Sequence, residues 1–227
     1  MSVPYVDATR QLTSVLAPVE KRTLVWLATR MPRVINSDHL TVLALVAMLG
    51  AGLSYWLASV TPIGLVLVCV CLAVNWFGDS LDGTLARVRN CQRPRYGFYV
   101  DHVVDAFGAA FLLGGLALSG YMTPWVAAVL LIAYFMLAIE VFLATHVLGV
   151  FRLSFFKVGP TELRILLALG NLVAIVHPMA HIGGREFLLF DIGGVVGAIG
   201  LGLTLIYSAV SNTRRLYRLE PMPEAGR

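Results

Sequence analysis

The chain has 227 residues, of which 58% are hydrophobic and only 13% are charged, and its mean hydropathy is +0.80. A soluble domain of this length is far less apolar, so the composition excludes an ordinary soluble protein and indicates a multi-pass membrane protein. The net charge of +4 is distributed as membrane topology and contact with anionic lipid headgroups require, so we expect no nucleic-acid partner.

Residues 1–38 are predicted to be a cytoplasmic, juxtamembrane segment. Residues 8–30 mix apolar with charged side chains, a pattern typical of an amphipathic helix that lies on the membrane surface, and Pro32 ends it. Basic residues are scattered through the segment, and no compact apolar run leads to a small-residue cleavage site. We therefore expect no cleavable export signal.

Six apolar stretches follow, and each is long enough to cross a bilayer as a helix. They cover approximately residues 39–60, 63–87, 99–119, 124–147, 161–181 and 191–211. Residues 39–211 would therefore form one six-helix domain, and residues 212–227 a cytoplasmic tail. The predicted fold class is an all-α membrane protein with six transmembrane helices and an amino-terminal amphipathic surface helix.

The basic residues predict the orientation of this bundle. If the amino terminus is cytoplasmic, every one of the 17 Lys and Arg residues except Arg185 lies on the cytoplasmic side or at that membrane face. Because cytoplasmic loops of membrane proteins are enriched in Lys and Arg, we expect both termini to be cytoplasmic.

Four aspartates lie where the second and third stretches approach their common connection. Asp79 and Asp82 are one helical turn apart, as are Asp101 and Asp105, and a helical hairpin would bring all four together. Each carboxylate in a membrane helix costs roughly 2.5 to 3.5 kcal/mol on insertion scales, and the four repel one another. Oxygen ligands without histidine or cysteine suit Mg2+ or Mn2+. The pattern predicts a divalent-metal site at the cytoplasmic face.

The residues around these aspartates suit a phosphorylated ligand. Gly83 and Ala86 lack side-chain bulk, so a ligand could approach the backbone closely. Four arginines surround the same entrance, namely Arg87, Arg89, Arg93 and Arg95. They would pair with phosphate, although a run of arginines after a span is also the usual topology anchor. Carboxylates, metal and arginines together predict a diphosphate site.

The same residues resemble the signature of the CDP-alcohol phosphatidyltransferase family, DxxDGxxAR followed after a short gap by GxxxDxxxD. The matching positions are Asp79, Asp82, Gly83, Ala86 and Arg87, then Gly97, Asp101 and Asp105. The resemblance implies that Asp79, Asp82 and Asp101 bind metal and that Asp105 helps to bind it and acts as general base. Gly83, Ala86 and Arg87 would line the CDP pocket.

The resemblance also implies the reaction. A substituted phosphate group would move from a CDP-linked donor, with CDP-diacylglycerol favoured, to an alcohol, and CMP would leave. Two ions of Mg2+ or Mn2+ would assist, and the protein would be a homodimeric enzyme of phospholipid synthesis. The segment Asn36 to Thr41 is similar to the Asn-Pro-Asn-x-x-Thr segment of this family, from which Ser37 and Asp38 depart, and it is assigned no role.

Acceptor or phosphate binding is predicted for Arg93, Arg95, Glu162 and Arg164. Glu162 and Arg164 open the fifth stretch at the cytoplasmic face, and the alternative is that they form a local structural pair. His177 and His181 lie near the outer end of that stretch, away from the aspartates, where an interfacial role is favoured over metal binding.

Three other hypotheses fit parts of the pattern. In the first, a CDP-amino alcohol reacts with diacylglycerol, since Asp101-His102 is similar to a pair found in the choline and ethanolamine phosphotransferase branch. The second is an aspartate-rich membrane prenyltransferase, whose donor has no nucleotide. The third is a cation transporter, which would need polar residues across the whole bilayer. Glycines of the last stretch indicate helix packing or a dimer contact.

Overall fold

The computed structural model describes residues 9–11, 16–152 and 159–222, which form seven helices and four short strands. In chain order these are β1 (Thr9–Gln11), α1 (Ala17–Arg30), α2 (Ser37–Ala58), α3 (Ile63–Val88), α4 (Pro94–Leu118), α5 (Pro124–Leu148), β2 (Val150–Arg152), α6 (Pro160–Val176), β3 (Met179–Ile182), β4 (Arg185–Leu188) and α7 (Leu189–Leu219). The prediction of a helical membrane protein is confirmed. The short strands were not predicted.

Five of the described helices, α2, α3, α4, α5 and α7, are long and apolar enough to cross a membrane. Large apolar side chains on these helices face outward: Val42, Val129 and Ile139 are each more than half exposed. A helix that satisfies its own backbone and presents such side chains is suited to lipid. The chain is therefore a multi-pass integral membrane protein.

The fifth predicted stretch ends earlier than the apolar pattern indicates. Helix α6 has 17 residues and stops at Val176, because Pro178 cannot continue a helix and restricts the residue before it. β3 and β4 then form an antiparallel hairpin around Gly183 and Gly184, whose φ angles of 58° and 79° suit a tight hairpin turn. His181 lies in this hairpin, with its Nε2 2.8 Å from Glu186 Oε1.

The amino-terminal helix is shorter than the predicted segment 8–30. Helix α1 begins at Ala17, and β1 before it pairs in parallel with β2. α1 buries Leu24 and Ala28 in an apolar cluster with Leu40, Leu81 and Leu85. Residues 1–8 and 12–15 of the predicted juxtamembrane segment 1–38 lie outside the described residues, as do Lys157 of the topology prediction and residues 223–227 of the predicted tail.

Helix α2 packs against both α3 and α4 at backbone distance. A Cβ atom on Gly115 would lie 2.1 Å from the Gly52 carbonyl oxygen, and one on Gly78 would lie 2.6 Å from the Leu40 carbonyl oxygen. Only glycine permits such approach, so these positions bring the helix backbones together. α2 thereby holds α3 and α4 side by side, which aligns the two halves of the aspartate pattern.

Helix α7 packs against α5, and its glycines divide between two faces. A Cβ on Gly194 would meet Val126 at 2.7 Å, and one on Gly197 would meet Leu130 at 3.2 Å. Added Cβ atoms on Gly193, Gly200 and Gly202 would meet no atom of the described residues within 4 Å. α7 also continues to Leu219, so the predicted tail begins as helix.

Candidate active site

Three carboxylates converge between α3 and α4. Asp79 comes from α3, Asp101 and Asp105 come from α4, and one oxygen of each lies within 4.8 Å of the others. Asp79 and Asp101 are half-buried, whereas Asp105 is exposed. Hard oxygen donors at this spacing fit a divalent cation of the Mg2+ or Mn2+ type.

Arg164 is bound directly to this group of carboxylates. Its Nη2 donates to Asp79 Oδ2 at 2.5 Å, and its Nε donates to Asn75 Oδ1 at 2.8 Å. Asn75 is buried and donates in turn to the Ala44 carbonyl at 3.1 Å. The Arg164 guanidinium offsets part of the negative charge of the carboxylates, and their oxygens are the hard donors that a divalent cation takes. Asn75 was missed from the sequence, where its signal was a polar residue one turn before Asp79.

Asp82 is held from the side of α2. Its Oδ2 accepts from Thr41 Oγ1 at 2.6 Å, its Oδ1 accepts from the Gly83 N–H at 2.5 Å, and its carbonyl accepts from Ser37 Oγ at 2.9 Å. The group of three carboxylates that the described residues bring within 4.8 Å does not include Asp82. Metal binding by Asp82 stays a prediction, and Thr41, to which the sequence assigned no role, is its hydrogen-bond partner.

Glu162 has partners different from those of Arg164. Its Oε1 accepts from the Leu16 N–H and its Oε2 accepts from the Gly159 N–H, both at 3.0 Å. The N–H groups at the start of a helix need acceptors, and Glu162 supplies one to Gly159, which precedes α6, and one to Leu16, which precedes α1. These contacts give Glu162 a structural role, and its binding of an acceptor or phosphate stays a prediction.

Two of the four arginines at the entrance connect loops. Arg89 donates to the carbonyls of Met31 and Pro32 at 2.8 and 2.9 Å and to that of Ile35, so it holds the α1–α2 connection. Arg93 is ion-paired with Asp38 at the start of α2, and its guanidinium lies 4.1 Å from the Tyr96 ring centroid. Phosphate binding by Arg93 would have to compete with this carboxylate.

The space beside Gly83 is bounded by a flexible side chain. Among the atoms of the described residues, a Cβ at Gly83 would meet only Arg87 guanidinium nitrogens, at 3.4 and 4.0 Å. Arg87 is exposed and donates from Nη2 to Thr84 Oγ1 at 2.9 Å, while Arg95 is exposed at the start of α4 and Ala86 is half-buried. A ligand can therefore approach α3 here after a side-chain movement, as the predicted CDP pocket requires.

His102 turns toward aromatic rings rather than toward the carboxylates. Its Nδ1 lies 2.5 Å from the Phe98 carbonyl oxygen, and its ring centroid is 4.2 Å from that of Phe98 and 4.6 Å from that of Phe142. Its neighbour Asp101 points into the carboxylate group, because successive residues of a helix point in different directions.

Comparisons with known proteins agree with this geometry. The model of the CDP-alcohol phosphatidyltransferase family matches residues 34–206, most of the chain. The chain is also similar to the archaetidylinositol phosphate synthase of Pyrococcus horikoshii, with 26% identity over 194 residues, which cover 85% of this chain and 87% of that protein. Members of the family generally depend on a divalent metal, which the three carboxylates fit. This chain belongs to the CDP-alcohol phosphatidyltransferase family, and it transfers a substituted phosphate group from a CDP-linked donor to an alcohol with release of CMP.

Proposed function

We propose that the donor is CDP-diacylglycerol or a similar CDP-linked lipid and that the acceptor is a phosphorylated polyol of the inositol phosphate class. The acceptor assignment rests on Arg164, whose guanidinium contacts Asp79 near the start of α6. A planar guanidinium binds a phosphate group with two parallel hydrogen bonds. The name of the archaeal relative, an archaetidylinositol phosphate synthase, supports the same acceptor class.

The chain's own side chains divide the work between binding and proton transfer. Arg87 pairs with the donor diphosphate beside Gly83, and Arg164 orients the acceptor through its phosphate. Asp105, the exposed member of the three carboxylates, accepts the proton of the attacking hydroxyl. The acceptor hydroxyl oxygen forms a new bond to the phosphorus attached to the lipid. The bond from this phosphorus to the bridging oxygen of the diphosphate breaks, and CMP leaves with the bridging oxygen.

The metal site belongs to the same proposal. Asp79, Asp101 and Asp105, with Asp82 as a fourth ligand, would hold Mg2+ or Mn2+, and the resemblance to the family implies two ions. Such cations supply the positive charge that neutralises the diphosphate and the departing CMP. Arg164 donates to Asp79, so it is already at the position from which it can transfer its hydrogen bonds to a phosphate.

The proposed topology has six spans, with α6 as the fifth. At 1.5 Å per residue α6 is about 26 Å long, close to the thickness of a bilayer core. Its start reaches the carboxylates through Arg164, and its end lies by the start of α7, where the Leu189 N–H donates to the Pro178 carbonyl at 2.9 Å. Six crossings leave both termini and the active site cytoplasmic, with α1 on the cytoplasmic surface, as the basic residues predict.

The proposed assembly is a homodimer, which the family resemblance implies. Gly193, Gly200 and Gly202 on α7 are open to close approach by another helix. Light scattering of the purified protein, corrected for detergent, measures the mass, and a monomeric mass in a mild detergent and in nanodiscs would contradict this part of the proposal.

The proposal is tested by CMP release from purified protein given CDP-diacylglycerol and Mg2+ or Mn2+. Inositol phosphate is the expected acceptor, and glycerol phosphate, inositol, serine, choline and ethanolamine are compared with it. Asp105→Asn is expected to lower the rate about 1,000-fold through loss of the general base. The control is Asp191→Asn, which changes an aspartate bound to Thr123 at the other end of the bundle and should keep the activity.

Two other results would overturn the assignment. CMP release only from CDP-choline or CDP-ethanolamine with diacylglycerol would reverse the donor and acceptor. Folded protein that releases no CMP with any of these substrates would overturn the proposed substrates altogether.

A further inference from the structure

Glu20 is a hydrogen-bond centre that joins three helices. Its Oε1 accepts from Thr161 Oγ1 of α6 at 2.7 Å, from Trp76 Nε1 of α3 at 2.8 Å and from Ser80 Oγ of α3 at 3.2 Å. Hydrogen bonds to a carboxylate are stronger than bonds between neutral groups, and removing the carboxylate would leave all three donors without this acceptor. A surface helix is thus bound to two helices of the bundle through one side chain.

This centre lies next to the contact between Arg164 and Asp79. Ser80 follows Asp79 directly on α3, and Thr161 precedes Arg164 by about one helical turn on α6. Glu20 therefore links the same two helices that Arg164 links, on neighbouring turns. A change in the distance between α3 and α6 at Glu20 would therefore be expected to move Arg164 relative to Asp79.

Helix α1 is also anchored on both sides of Glu20. Before it, the Leu16 N–H donates to Glu162 Oε1 of α6 at 3.0 Å. After it, Leu24 is buried with Leu81 and Leu85 of α3. α1 is consequently held on α6 at its start, on both helices at Glu20 and on α3 along its second half, as a strap that joins the cytoplasmic ends of α3 and α6.

We propose that Glu20 is a positioning residue: by fixing α6 to α3 through α1, it keeps Arg164 at the site of the acceptor phosphate. This inference rests on the role proposed above for Arg164. Because a displacement of about 1 Å in a positioning group can cost as much as 100-fold in rate, loss of Glu20 is expected to act mainly on the acceptor. The donor diphosphate is bound elsewhere, on the side of Arg87.

The first test compares Glu20→Ala with Glu20→Gln in steady-state kinetics of CMP release. Glu20→Ala is expected to raise the KM for inositol phosphate about tenfold and to leave the KM for the CDP-linked lipid within about twofold. Glu20→Gln keeps an oxygen acceptor of the same shape and should rescue most of the effect. Glu220→Ala, at an exposed glutamate beyond the end of α7, is the control and should behave as wild type.

A double-mutant cycle separates positioning from general stability. If Glu20 acts through Arg164, Glu20→Ala should change the acceptor KM less than about twofold in an Arg164→Lys background. The inference would be overturned if the changes in acceptor KM caused by the two substitutions multiply independently. It would also be overturned if folded Glu20→Ala protein has an unchanged acceptor KM. Acceptor affinity measured by calorimetry with inositol phosphate should give the same pattern without turnover.

Thr161 provides a second variant if Glu20→Ala fails to fold. Thr161→Val removes one donor to Glu20 at constant volume, whereas Thr161→Ser keeps the hydroxyl. The valine variant should raise the acceptor KM and the serine variant should not; equal kinetics for the two would count against Glu20. If the wild-type protein itself releases no CMP with any substrate, the proposed function is overturned instead, so the two failures are distinguishable.

Discussion

The half of the bundle that contains the carboxylates and the opposite half are held together by different forces. In the active-site half, α1, α3 and α6 are joined by directional polar contacts at Glu20, Asp79 and Arg164. The opposite half contains the larger apolar core, which includes Tyr55 and Leu65, and α2 meets α4 there at backbone distance. The opposite half thus supplies packing, and the active-site half places charge. Substitutions in the opposite half should therefore lower stability with little effect on the chemistry, and those in the active-site half should do the reverse.

The largest expected effect is a loss of catalytic rate from a substitution among the three carboxylates. Asp79→Asn removes a carboxylate charge from the group of three and should lower CMP release at least about 100-fold, with Tm in detergent almost unchanged. Electron paramagnetic resonance with Mn2+ should show weaker binding in this variant. The control is Asp38→Asn, at an aspartate paired with Arg93 outside the group, which should bind Mn2+ as wild type does. Equal Mn2+ affinity of wild type and Asp79→Asn would contradict the metal site.

On the packing side, two adjacent glycines of α4 form a matched pair. At Gly115 an added Cβ would lie 2.1 Å from the Gly52 carbonyl oxygen, whereas one at Gly114 would meet no described atom within 4 Å. Gly115→Ala should lower the free energy of unfolding by about 2 to 3 kcal/mol because α2 and α4 must separate. Gly114→Ala should be neutral or stabilise by up to about 1 kcal/mol through helix propensity. Thermal unfolding in detergent measures both, and equal shifts in Tm for the two variants would contradict close packing of α2 against α4 at Gly115.

A smaller effect is expected inside the apolar core. The Tyr55 hydroxyl donates to Asn171 Oδ1 at 2.9 Å, and both residues are fully buried. Tyr55→Phe leaves that oxygen without its donor and should cost about 1 to 3 kcal/mol of stability. kcat and both KM values should stay within about twofold of wild type at temperatures where the variant is folded. A large loss of activity in folded Tyr55→Phe protein would show that the two halves are not separate.

The smallest effect is expected at the exposed ion pair of Arg93 and Asp38. Exposed ion pairs contribute about 0 to 1 kcal/mol, and high salt weakens them further. Asp38→Ala should therefore change Tm only slightly and less at high salt than at low salt. A shift as large as that of Gly115→Ala would mean that this loop contact determines the packing of α2.

Much of the site was predictable because its residues are close in the chain. The four aspartates, Gly83 and Arg87 lie within two neighbouring stretches, and helical periodicity alone assigns them to common faces. Arg164 was singled out as a charged residue at the start of an apolar stretch, and its guanidinium contacts Asp79.

The remaining contacts could not be predicted, since they join residues far apart in the chain. Glu20 meets Thr161, and Leu16 meets Glu162, across more than half of the chain. A lone glutamate in a basic amphipathic segment is normally a solvated side chain. Its three donors are assembled only when α1, α3 and α6 pack.

The membrane character of this protein, its approximate helices and its reaction class were predictable from the sequence, because hydrophobic length and a local motif are properties of neighbouring residues. Which polar groups meet depends on the packing of the helices: Thr41 with Asp82, Arg164 with Asp79, and Glu20 with its three donors. The tertiary structure also ends α6 at Val176 and turns the following residues into a hairpin. Helix packing decides these features, since a hydrogen bond needs two groups within about 3 Å and sequence spacing does not predict that distance between separate helices.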